Sequence, residues 1–198
     1  MHKLFKAIYF AAMVAETAIR APYNTRRRNL PKQERRITPA EQGLLGALFF
    51  AMFVLPLVYS VSRRLDFANY RLSPSAGKLS GALGAVFMAA AVWVFWRSHR
   101  DLGANWSPTL EITEQHTLTT TGVYGKIRHP MYASQALWGV GQALLLQNWV
   151  AGFGALPAYV AMYLIRVPRE EQMMLEHFGD EYREYSARTG GILPRFGA

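Results

Sequence analysis

Residues 130–165 read PMYASQALWGVGQALLLQNWVAGFGALPAYVAMYLI, 36 positions without a charged side chain. As one helix this run would be about 54 Å long, well beyond a hydrocarbon core of about 30 Å. It must fold back. The polar pair Gln147-Asn148 near its middle is the natural turn, so a helical hairpin is expected, with arms at about 131–146 and 149–165. Upstream, residues 43–61 give 19 positions without a charge, and residues 79–96 give 18 between Lys78 and Arg97. Residues 4–19 form a weaker apolar segment that carries Lys6 and Glu16.

These runs predict an all-α integral membrane bundle of five transmembrane helices, at about 4–19, 43–61, 79–96, 131–146 and 149–165. The whole chain, 1–198, is read as a single membrane domain, with 97–130 and 166–198 as cytoplasmic segments. A soluble core with so many apolar helices would leave too little polar surface to cover them. Residues 4–19 also look like a secretory signal, with Lys3 and Lys6 ahead of an apolar stretch. Arg20 stands where a small residue would mark cleavage, and a very basic segment follows, which favours a retained helix.

Composition agrees. Hydrophobic residues make up 51% of the 198 positions and charged residues 18%, with a net charge of +9. Such a basic chain first suggests nucleic acid. Here, however, the charges cluster between long uncharged runs. Under the positive-inside rule, the segments 20–42, 97–131 and from Arg166 onward carry 16 Lys and Arg, against 6 in the remaining loops. That asymmetry puts those segments in the cytoplasm and the N-terminus outside, with anionic lipid heads as added partners. Residues 26–28 read as a solvated loop. Cysteine is absent, which excludes disulfides, thiolate metal sites and a catalytic thiol. Aromatics at 13% exclude a disordered tail.

Two of the cytoplasmic segments are too patterned to be linkers. One holds DLGANWS at 101–107 and GVYGKIRHPMY at 122–132; the other holds RVPREE at 166–171 and FGDEYREY at 178–185. If the last two spans form a hairpin, Arg128–Tyr132 and Arg166–Glu171 meet at one membrane level. Arg128, His129, Tyr132, Arg166, Glu170 and Glu171 then converge, with Tyr124 nearby. Ionisable groups at membrane depth are costly and mark function.

Each residue also has a plain reading. Pro130 suits a first helical turn, and His129 caps that helix. Arg128 and Arg166 snorkel. Glu170 and Glu171 begin a new helix after Pro168, favourable to its dipole. Tyr132 belongs to an aromatic belt. It is the convergence that points to a site. No dinucleotide fingerprint, P-loop or zincin motif occurs, no nucleophile elbow is present, and the five His lack metal-ligand spacing, so no metal is expected.

The residues GVYGKIRHPMY at 122–132, RVPREE at 166–171 and FGDEYREY at 178–185 closely resemble the isoprenylcysteine carboxyl methyltransferase family, which is related to the phospholipid methyltransferases. The resemblance is strong over about 97–198. It implies methyl transfer from S-adenosylmethionine to a lipid-bearing substrate at the cytoplasmic interface. By the family pattern, Gly122, Val123, Tyr124, Arg128, His129, Pro130 and Tyr132 line the cofactor pocket, together with Glu171 or Glu170. Arg166, Glu170 and Glu171 are the implied catalytic residues. Arg166 would orient an anionic substrate through its fork, and Asn105 and Trp106 are candidate substrate contacts. The implied acceptor is an isoprenylcysteine-like acid. The rivals are a phospholipid amine N-methyltransferase, an NADPH-dependent sterol-type reductase and a non-catalytic transporter or scaffold.

Overall fold

The computed structural model describes residues 2–28, 32–35, 38–107, 111–113 and 117–195. Seven α-helices are described: α1 (His2–Arg28), α2 (Pro39–Phe49), α3 (Leu55–Val61), α4 (Pro74–Leu102), α5 (Pro130–Leu146), α6 (Ala155–Phe178) and α7 (Asp180–Arg188). A π-helical turn, Phe50–Val54, joins α2 to α3 into one rod. Two short strands, β1 (Lys32–Arg35) and β2 (Glu111–Thr113), pair antiparallel.

Residues 26–28 continue α1 instead of forming a loop. The basic side chains at 27–36 lie outside the described residues. Two helical stretches, Pro39–Val61 and Pro74–Asn105, are long and apolar enough to cross a bilayer.

The reversal after α5 sits at Gln147-Asn148. Gln147 adopts a left-handed φ of 52°, and its side-chain amide donates to the Gly77 carbonyl at 2.7 Å. Asn148 closes the turn from both ends of its amide. Its oxygen accepts from the N–H of Val150 and Ala151, and its nitrogen donates to the Leu65 carbonyl. Those bonds hold residues 147–154 as a docked turn, so the second arm begins at Ala155, not at 149. The same helix runs on to Phe178. It passes through Pro168, so Glu170 and Glu171 do not open a new helix. Proline there removes one backbone bond, and burial of Arg166, Val167 and Met173 on either side keeps the rod in place.

The centre of the bundle is the α4–α5 contact. Gly84 lies against Leu145, and Gly141 against Met88. A Cβ at Gly84 would sit 2.8 Å from the Leu145 backbone nitrogen, so the two helix backbones approach at a distance that only glycine permits. Buried Gln142 ties three more elements to this core. It accepts from the hydroxyl of Tyr9 and the indole N–H of Trp138, and donates to the carbonyls of Ala51 and Ala151.

Gly84→Val is therefore expected to cost about 1–3 kcal/mol, seen as a lower melting temperature in detergent. Gly43→Ala, where nothing lies within 4 Å, should leave it unchanged.

Candidate functional site

The site grows from the segment that precedes α5. Gly122 has a φ of +62°, and a Cβ there would strike the Asp101 carboxylate at 2.2 Å. That close approach lets the Val123 N–H donate to Asp101 Oδ2 at 2.8 Å, while Arg97 holds the same oxygen at 3.2 Å. A short 3-10 turn, Gly122–Gly125, then presents Tyr124 inward. Beyond it the backbone pairs with the chain after α7: Arg128 N–H donates to the Gly190 carbonyl at 2.8 Å, and His129 N–H to the Gly191 carbonyl at 3.1 Å.

Arg128 fastens three elements with one guanidinium. Its Nε donates to Glu171 Oε1 on α6 at 3.0 Å, and one terminal nitrogen lies 2.9 Å from the same oxygen. The other terminal nitrogen donates to the carbonyls of Ser186 and Thr189 at the end of α7. Positive charge suits that end of a helix.

Glu171 Oε1 also lies 2.9 Å from His129 Nε2. The His129 hydrogen bond, followed by Arg128, draws the Glu171 carboxyl down to about 2. A carboxylate only accepts, so His129 Nε2 is the donor in this contact. His129 Nδ1 is buried without a hydrogen-bond partner. The neighbouring Glu170 turns a third of a helical turn away and accepts from the Tyr132 hydroxyl at 2.8 Å. Burial pushes the Tyr124 phenol well above its ordinary range and that of Tyr185 up to about 12. Both hydroxyls are neutral, and that of Tyr185 donates a hydrogen bond to the Tyr124 carbonyl at 2.7 Å.

Two cavities flank Tyr132. The first, about 130 Å³, is walled by Asn105, Tyr124, Arg128, His129, Pro130 and Tyr132, with Glu170, Met173 and Tyr182 opposite. The second, about 430 Å³, is mostly apolar, walled by Met13, Leu48, Met52, Phe95, Trp138 and Met162. Arg20, Glu16 and Arg166 are its charged members. Ser107, Met131 and Tyr132 belong to both walls.

The expected site residues thus divide. Tyr124, Arg128, His129, Pro130, Tyr132 and Glu170 meet at the first cavity. Gly122, Val123 and Glu171 stand behind its wall and brace it. Asn105 lines the first cavity and is held by Thr117 and Thr119, its amide donating to the Thr117 carbonyl at 2.9 Å. Trp106, the next residue, faces the second.

Arg166 departs from the expected cluster. It lies one helical turn from Glu170, beyond Tyr132, and pairs with Glu41 of α2 at 3.4 Å. Arg166 and Glu41 are 8% and 3% exposed, so this guanidinium is matched by a buried carboxylate. No motif in the sequence marks Glu41 as that partner. Asp101, Tyr182, Tyr185 and Arg20 were also missed as site residues, although Asp101 opens the DLGANWS segment and Tyr182 and Tyr185 lie in FGDEYREY. Among the described residues no group of three or more His, Asp or Glu is placed to hold a metal ion.

Comparison with known proteins adds a separate line. The family model described as phospholipid methyltransferase matches residues 79–181. Human protein-S-isoprenylcysteine O-methyltransferase is 34% identical over 84 residues, which is 42% of this chain and 30% of that one. The A form from Arabidopsis thaliana is 30% identical over 112 residues, 57% of this chain and 54% of that one. The matched part therefore spans about a third to a half of these relatives. The structure of a eukaryotic intramembrane Ras methyltransferase, isoprenylcysteine carboxyl methyltransferase, aligns with 80% of this chain and 54% of its own, at 21% identity and a TM-score of 0.40.

Glu171 has a depressed carboxyl, so its contribution to stability is complete above its ordinary value of 4.5 and is lost as pH falls through about 2. Hydrogen exchange should show residues 186–191 fully protected from neutral pH down to about 4.5 and progressively released as pH falls from there toward about 2. Glu171→Gln should release them at neutral pH.

Proposed function

The chain belongs to the phospholipid methyltransferase family, and from that premise we propose that it is an S-adenosylmethionine-dependent methyltransferase of lipid-bearing acids. The proposed acceptor is an isoprenylcysteine-like carboxylate, the class named in the curated relatives. The observation that carries this reading is the pair of cavities sharing Tyr132, one rich in polar and aromatic groups and one apolar. A reaction between a polar donor and a greasy acceptor needs that division.

The first cavity suits the donor. It offers a buried, unpartnered nitrogen on His129, the carboxylate of Glu170 and the rings of Tyr124 and Tyr182. His129 Nδ1 would hydrogen-bond a polar group of the cofactor, and the tyrosine faces suit a cation. Met173 and Met174 add an apolar wall. When bound, S-adenosylmethionine supplies a methyl group on a sulfonium, which leaves without help from an acid. The chain's own part is then to position and desolvate.

A carboxylate acceptor is already deprotonated at neutral pH and asks for no base. An amine acceptor would need one, and both candidate carboxylates are engaged, Glu171 by Arg128 and His129 and Glu170 by Tyr132. The geometry therefore favours the acid over the phospholipid amine. Arg166, with its charge matched by Glu41, shapes the wall of the acceptor cavity, as does Trp106.

The membrane arrangement proposed is five spans, with the two cavities opening toward the cytoplasmic side. In support, large apolar side chains point outward on several helices: Phe49 and Leu57, Leu79 and Val86, Val160 and Leu164. A surface of this kind in water would be an aggregation liability.

Isotope transfer decides the acceptor. Label from S-adenosylmethionine is expected on N-acetyl-S-farnesylcysteine as a base-labile ester. Base-stable label on phosphatidylethanolamine instead would establish the amine reading. Calorimetry with S-adenosylhomocysteine should show binding, weakened about tenfold, or about 1.4 kcal/mol, by His129→Ala. Absence of binding to the folded wild type would reject both methyltransferase readings.

A further inference from the structure

The acceptor cavity contains two arginines, and they are not in the same electrostatic state. Arg166 is already answered by Glu41. Drawing it toward a substrate would strand a buried carboxylate, which is costly. Arg20 of α1 is different. Among the described residues it forms no ion pair within 4 Å; Glu16, one turn earlier on α1, acts on it electrostatically without such a contact, and its buried Nε, like that of Arg166, has no hydrogen-bond partner. Its guanidinium lies over the ring of Phe95 at 4.9 Å and near that of Trp106 at 5.9 Å.

Those rings fix its position. Trp106 is almost fully buried, 3% exposed. It packs on His99, whose Nδ1 lies 2.9 Å from the Phe95 carbonyl one turn back on α4. Tyr23, from the same helix as Arg20, closes the cluster against His99 and Trp106. Stacking compensates a guanidinium partly and leaves its in-plane N–H groups open to an anion. The residue after Trp106 is Ser107, in the wall shared by both cavities. Arg20 therefore stands where the apolar cavity meets the donor side, and the position suits the head of an amphiphile whose tail fills the apolar part.

We propose that Arg20, clamped by Phe95 and Trp106, binds the carboxylate of the lipid substrate and that Arg166 does not. This rests on the acceptor class proposed above. Glu16, one turn earlier on α1, lines the same cavity. It offsets part of the Arg20 charge, so a head with more than one negative charge would be left uncompensated there.

The test compares binding of N-acetyl-S-farnesylcysteine with binding of its carboxamide, which has the same shape without the charge. Wild type in detergent should prefer the acid. Arg20→Gln should weaken acid binding at least tenfold and leave the carboxamide unchanged, abolishing the preference. Arg20→Lys, which keeps charge but loses the planar fork, should give an intermediate ratio. An unchanged acid-to-carboxamide ratio in Arg20→Gln overturns the assignment, and so does an unchanged ratio in Arg20→Lys if the Gln variant does not fold. Wild type that methylates the acid with Arg20 irrelevant refutes only the role of Arg20. Wild type that neither binds nor methylates the acid refutes the acceptor class itself.

Discussion

The guanidinium of Arg128 is the contact on which the rest of the site depends. It spends its donors on a carboxylate of α6 and on two carbonyls at the end of α7, while its own backbone pairs with Gly190. Three segments far apart in sequence are held by one planar group. Lysine has the charge but not the fork, so this geometry is specific to arginine. Most residues that line the first cavity lie on these segments, from Tyr124 to Tyr132 and from Glu170 to Tyr185.

Beneath that clamp is a steric constraint. The α4–α5 approach through Gly84 and Gly141 sets where α5 begins, and hence where His129 and Tyr132 stand relative to α6. The docked turn at 147–154 then sets how far α6 is offset along its axis. A shift of one residue would move Glu170 and Glu171 about 100° around the helix and break both bonds at once. Packing between apolar helices thus decides the polar chemistry at their ends.

Much of this was legible in the sequence, and for identifiable reasons. An uncharged run of 36 residues has to reverse, and Gln147-Asn148 is the polar pair that can close a turn. The grouping of His129, Tyr132, Glu170 and Glu171 followed from placing both ends of a hairpin at one level. Other features were not legible. The role of Gly122 depends on Asp101 lying against it, and nothing in the residue's surroundings in sequence shows that. Arg166 looked free because its partner, Glu41, sits on a helix whose rotation is set by tertiary packing. The start of α6 at Ala155 depends on bonds from Asn148 to Leu65, a contact across the bundle. Local pattern reaches as far as each element's ends and faces; charge compensation between elements lies beyond it.

The linkage between residues 127–129 and 190–191 also has a bearing on biosynthesis. A ribosome delivers α1 through α6, with every apolar run, before it delivers residues 186–191. The bundle can insert and pack while Arg128 still lacks the carbonyls of Ser186 and Thr189. The wall of the first cavity is therefore completed after the helices that surround it, and a nascent chain already in the bilayer has no finished site until these residues emerge.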